Sequence, residues 1–257
     1  NRFNQPDPLC EEYYHISPYA YCANNFINAL DPDGRSTWVI ANKNGTYTIL
    51  GGSLKDNDLN IYALSAGKNG EIIKKSIGMT TSISSFYDSY ANNGSGAWAV
   101  GSIIDPKDNS GKVFLNNLVK DDPEIGYYMD NAKKGQKYDF KVTNGGNASI
   151  SKIDKYRGMP IGSTKNGQTI YTSAKDIGNI AAGYVAGIHA IPWSLVRKEF
   201  DNLQSIQDNR PSIELPSSQN AQYFGYQLGI RDLLIAPFSI LDRYTRSIPT
   251  LYKRLTK

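Results

Sequence analysis

The chain has 257 residues, 40% of them hydrophobic and 20% charged, with a net charge of +4. These proportions suit a folded protein with a sizeable core, and no run approaches the roughly 18 apolar residues of a membrane span or reads as a signal peptide. Two histidines and two cysteines, the latter Cys10 and Cys22, have no ligand spacing and exclude a His/Cys metal cluster; no cofactor is expected, and Mg²⁺ held by carboxylates stays open.

The chain opens with Arg2-Phe3-Asn4-Gln5-Pro6-Asp7-Pro8-Leu9, followed by Tyr19-Ala20-Tyr21-Cys22-Ala23-Asn24-Asn25 and Asp31-Pro32-Asp33-Gly34. The order and spacing of these pieces resemble the closing stretch of the Rhs repeat-associated core, the shell of bacterial Rhs polymorphic toxins. Phe26 stands where that family usually has Pro. The resemblance covers residues 1–35. It implies that a variable cargo follows, often a toxin, freed by self-cleavage at paired Asp-Pro motifs. Asp7 and Asp31 match those aspartates, and Cys10 stands where the first motif has Gly. A close pair of acids can keep one protonated beside its ionised partner.

Residues 36–105 read as strand and turn. Thr37-Trp38-Val39-Ile40 and Tyr47-Thr48-Ile49-Leu50 flank Asn44-Gly45, a hairpin signal because such a turn wants φ > 0 at both central positions. Leu59–Leu64, Glu71–Ile73 and Ala97–Ile104 continue the pattern, and the spacing predicts a meander or small sheet. With no charged constellation, this segment reads as a spacer.

Residues 106–257 read as a mainly helical domain. Ser110 is placed to cap a helix through Val113 and Leu118, and Asp122-Pro123 to open a second. Gln136 to Val142 reads as a strand. Residues 143–170, rich in Gly and Asn, read as loop, with a short strand at Thr169-Ile170-Tyr171. Ser173 followed by Asp176 marks a helix start, and Ile177, Ile180, Ala181, Tyr184, Val185 and Ile188 recur at helical spacing. Gly183 and Gly187 lie one turn apart. Each weakens a helix by roughly 1 kcal/mol relative to Ala, so close packing against another backbone is expected. Pro192 and Pro216 start two further helices. The segment from Arg231 to Lys257 holds six basic and two acidic residues and carries the whole charge surplus. Such a tail reads as a solvated helix end, or as a contact for phosphate or an anionic membrane. The fold class expected is α+β, with a β-rich first half and a helical C-terminal domain.

Tyr138-Asp139-Phe140-Lys141, with Asp176-Ile177-Gly178-Asn179 and Gly183 on a later helix, resembles the polymorphic toxin type 44 family. The family's histidine is replaced by Ala181. The resemblance, over roughly residues 110–235, implies a nucleolytic domain. The residues alone suggest an anion site. Lys141 and Asp139 share parity on the expected strand and would pair. Asn179 lies near a helix N-terminus, and Arg157 sits in a turn from which it would clamp a phosphate. His189 is the histidine of this domain and serves as base or as helix cap.

The reading is an antibacterial effector delivered into a neighbouring bacterium, with type VI secretion as the expected route. Its partners would be a cognate immunity protein and the Rhs shell of the parent polypeptide. Its substrate would be RNA ahead of DNA, cut by Asp139, Lys141, Arg157, Asn179 and His189. A peptidoglycan hydrolase using Glu199, Asp201 and Glu214 is the alternative; Glu199 and Asp201, two apart, point different ways and suit a solvated face. A third reading is a non-catalytic binding or membrane-acting module, with the basic tail as its membrane contact. No phosphate-loop, dinucleotide, HExxH or GxSxG pattern occurs.

Overall fold

A computed structural model describes residues 36–54, 58–82, 84–133, 135–143, 152–214 and 216–235. The Rhs-like stretch with Asp7 and Asp31, and the tail beyond Ile235, lie outside the described residues.

Nine strands form, in chain order, among the described residues. They are β1 (Thr37–Ala41), β2 (Tyr47–Gly52), β3 (Asn60–Ala66), β4 (Ile72–Thr80), β5 (Tyr87–Asp88), β6 (Ala97–Trp98), β7 (Ile103–Ile104), β8 (Gly158–Ser163) and β9 (Thr169–Ser173). Seven of them close into a barrel in the order β1-β2-β7-β8-β9-β4-β3, and β5 and β6 form a separate pair. The α+β class holds, but the expected meander is a closed ring. Closure comes from parallel pairings of β1 with β3, β7 with β8 and β4 with β9. The barrel therefore draws strands from both sides of the 105/106 boundary read from the sequence. The β1–β2 hairpin turns through Asn42–Thr46, where Asn42 donates its backbone N–H to Thr46 O at 2.8 Å. Only Gly45 takes a positive φ, +84°. The loop is longer than a two-residue turn, and one left-handed residue suffices to reverse it.

The barrel interior is filled by Val39, Ile49, Ile61, Phe86, Ile104 and Tyr171. Each apolar side chain of this size contributes roughly 1.5–3 kcal/mol when fully buried. A small cluster of Phe140, Met159, Ala174 and Ile177 joins the barrel to the helices.

Seven α-helices form among the described residues, four of them between β7 and β8. They are α1 (Ser110–Asp121), α2 (Ile125–Asn131), α3 (Phe140–Thr143), α4 (Lys152–Lys155), α5 (Ala174–Ile188), α6 (Trp193–Asp208) and α7 (Pro216–Ile235). The cap residue of α1 is Asn109 rather than Ser110, and Asp108 accepts the Ser110 N–H at 2.9 Å. Gln136–Val142 is not a strand. Tyr138, Asp139 and Phe140 are buried in succession, which the two-sided alternation of a strand does not allow, and the chain turns into α3. Strand β9 runs straight into α5, whose Ser173 cap accepts the Asp176 N–H as the sequence predicts.

Helices α5 and α7 are parallel. Gly183 and Gly187 meet the backbone of Gln222 and Tyr226, while Gly225 and Gly229 meet the carbonyls of Ile180 and Tyr184. Four glycines thus let two helix backbones touch, which is the packing that the spacing of Gly183 and Gly187 requires. Tyr184, Val185, Ile188, Val196 and Phe200 lie in the helical core around this pair.

Candidate functional site

A cleft of about 390 Å³ opens between the helices and the turn after β5. Three lysines reach it from three elements: Lys141 from α3, Lys155 from α4 and Lys175 from the first turn of α5. Asn179 follows Lys175 by four residues, so helical geometry places both on one face. Gln204 of α6, Gln222 of α7 and Glu214 add polar groups, while Tyr90, Tyr128, Tyr138 and Phe200 add rings.

The lysines are set by their surroundings. Lys155 and Lys175 lie over the ring of Tyr156 at 5.5 and 5.8 Å, so one buried ring carries two ammonium groups. Lys141 is exposed on its short helix and forms no ion pair with Asp139 among the described residues. The expected strand would have set the two side by side; the turn into α3 separates their roles. Asp139 is buried and accepts the Gly135 N–H at 2.8 Å. Burial first, then Tyr138 and Asp139, hold the Tyr128 phenol well above its ordinary value.

Behind Lys175 and Asn179 lies Asp176, with no exposed surface. Neither of its oxygens has a hydrogen-bond partner among the described residues. Burial pushes its carboxyl up to about 6, the charge of Lys175 being the largest opposing pull. An ionised Asp176 opposes anion binding by the N-terminus of α5, so attraction for an anion comes from the lysines.

Glu214, which also lines the cleft, accepts from Arg197 at 2.9 Å and from Gln222 at 2.8 Å. Burial raises its carboxyl above the usual range, although Arg197 and Gln222 act the other way. Arg197 also bonds Asp201 and Gln222. Glu199 is buried, so the solvated face expected for it is corrected. Neither Glu199 nor Asp201 lines the cleft.

Of the residues the sequence singles out, Asp139, Lys141 and Asn179, and from the hydrolase alternative Glu214, line one cleft. Arg157 does not. It lies over the Phe140 ring at 5.3 Å, donates to the Asp154 carbonyl and stands 4.0 Å from Asp108. His189 is buried at the far end of α5, with Nδ1 2.8 Å from the Val185 carbonyl, as a C-cap. Ten residues of helix put it roughly 15 Å from Asn179. Lys155, Lys175 and Tyr90 escape the sequence reading. Lys175 alone had a signal, its i,i+4 relation to Asn179; nothing local marks the other two.

No family model matches the chain, and neither a curated protein nor a solved structure does. Among the described residues no helix is long and apolar enough to cross a membrane, and no group of three or more His, Cys, Asp or Glu could hold a metal. The cleft offers cations, amides and rings together, a set suited to an anionic ligand with planar groups.

Proposed function

We propose that the chain is the effector end of an Rhs-type polymorphic toxin and that its cleft cleaves nucleic acid phosphodiesters, RNA ahead of DNA. The observation that carries this reading is the convergence of Lys141, Lys155 and Lys175 on one cleft from three separate elements. Preorganised cations stabilise the charge that gathers on phosphoryl oxygens in the transition state more than the charge of the ground state. Asn179 adds a neutral donor. Glu214, whose carboxyl is raised, is the cleft residue suited to exchanging a proton. Arg157 and His189 have no part in this version, because neither lines the cleft. A producing cell would need an immunity protein to block the lysines.

The test is cleavage of labelled RNA and DNA by the purified chain beside Lys141→Ala, Lys155→Ala and Lys175→Ala. Loss of a transition-state contact lowers turnover by roughly a hundredfold. Equal cleavage by all four proteins would remove the reading.

One observation favours a second reading. Glu214 sits in the cleft with a raised carboxyl; a glycosidase needs such an acid and a second carboxylate, and Asp139 is the other carboxylate lining the cleft. Turbidity loss of purified peptidoglycan that disappears in Glu214→Gln would select it; an inert peptidoglycan suspension would discard it.

A further inference from the structure

Resting on the phosphodiester reading, we infer that the cleft takes single-stranded rather than duplex nucleic acid, with Tyr90 as the platform on which an unpaired base stacks. The rings at the cleft differ in what they can offer. Tyr128 and Tyr138 are 2% and 3% exposed, stack on one another at 5.1 Å and belong to the helical core. Tyr90 is 59% exposed. It reaches the cleft from the turn after β5, whereas Gln204 and Gln222 reach it from α6 and α7.

Its backbone is held in place. The Asp88 carboxylate accepts the Tyr90 N–H at 3.1 Å, and the Asp88 carbonyl accepts the Ala91 N–H at 3.2 Å. Tyr87 donates its hydroxyl to the Ser95 carbonyl at 3.0 Å and closes the same loop. A ring presented on a fixed turn loses less freedom on binding than one on a loose loop. Tyr90 lines the same cleft as Lys155 and Lys175, whose ammonium groups lie over the Tyr156 ring. A stacking face and two phosphate-seeking cations therefore stand together. That combination of ring and cations binds single strands, whose bases have free faces. In a duplex those faces are covered by neighbouring pairs. The cleft volume of about 390 Å³ is in the range of sites that enclose one small ligand, and a double helix is too broad to enter.

The experiment is an anisotropy titration of the full chain with fluorescein-labelled 2′-O-methyl RNA and single-stranded DNA, beside the duplex of the same sequence. Both single strands should bind at least tenfold more tightly than the duplex. Tyr90→Ala should weaken single-strand binding by roughly tenfold and leave duplex binding unchanged. Tyr90→Phe, which keeps the ring, should restore it. Equal affinity for duplex and single strand, or an unaffected Tyr90→Ala, overturns the inference while leaving a nucleic acid site in place. No binding to any of the three probes overturns both this inference and the phosphodiester reading.

Discussion

Gly183 of α5 lies directly against the carbonyl oxygen of Gln222 in α7, with no room for a methyl group between them. On helix propensity alone, Gly183→Ala would gain roughly 1 kcal/mol. Here the added carbon must push two backbones apart along the whole α5–α7 contact. The expected outcome is a loss of about 1–3 kcal/mol in denaturant unfolding. Gly178, on the same helix, has nothing within 4 Å of a Cβ position. Gly178→Ala should therefore show the opposite sign, a gain of up to about 1 kcal/mol. Two changes of identical chemistry on one helix then differ only in what faces them.

Asp176 predicts a pH dependence of stability. Its carboxyl is held at about 6 by burial, against an ordinary value of 3.8. Between those values the folded chain keeps a proton that the unfolded chain gives up. The stability associated with this group is complete below the unfolded value and is lost as pH climbs through about 6. Two units correspond to roughly 3 kcal/mol. Asp176→Asn should be more stable than the parent at pH 8 by up to about that amount and indistinguishable near pH 4, read from paired urea titrations.

Arg197 holds Asp201, Glu214 and Gln222 together. Its side chain and that of Glu214 are each only 14% exposed. Replacing it by Met keeps most of the volume but leaves Glu214 without its cation. Breaking a buried pair in this way costs about 3–5 kcal/mol, so Arg197→Met should lower the unfolding midpoint sharply. Adding Glu214→Gln to that variant should recover part of the loss, because only the more exposed Asp201 carboxylate then remains without its cation.

If the lysines meet phosphates, binding must weaken with salt in proportion to the number of contacts. Each of Lys141→Gln, Lys155→Gln and Lys175→Gln should reduce the slope of log affinity against log salt by about 0.7 for a single-stranded probe. Lys165, exposed and outside the cleft, should leave the slope untouched when changed to Gln.

The long elements were legible because their patterns are strong. The recurrence from Ile177 to Ile188, the Ser173 cap and the prolines at 192 and 216 point to α5, α6 and α7, and the structure has all three. Strand β8 was not legible. Gly158-Met159-Pro160-Ile161-Gly162-Ser163 holds one β-branched apolar residue, two glycines and a proline, so its strand form comes from its neighbours and carries a register shift between Pro160 and Gly162. Without β8 the ring could not be inferred. The cleft was half legible. Asp139, Lys141 and Asn179 sit in short marked segments and Glu214 stood out as a carboxylate, whereas Tyr90 and Lys155 reach it from a turn and a four-residue helix. Their meeting depends on how barrel and helices pack, and no periodicity encodes it.

Strands β8 and β9 stitch the later half of the chain into the earlier one. Severing the polypeptide near Pro106 would strip the ring of two staves, leaving β4 and β7 with bare hydrogen-bonding edges that invite self-association. The excised helical piece would carry the matching orphan hairpin. Preparations cut at that point would clump instead of dividing into two tidy modules, so trials of activity require an undivided polypeptide from the barrel onward.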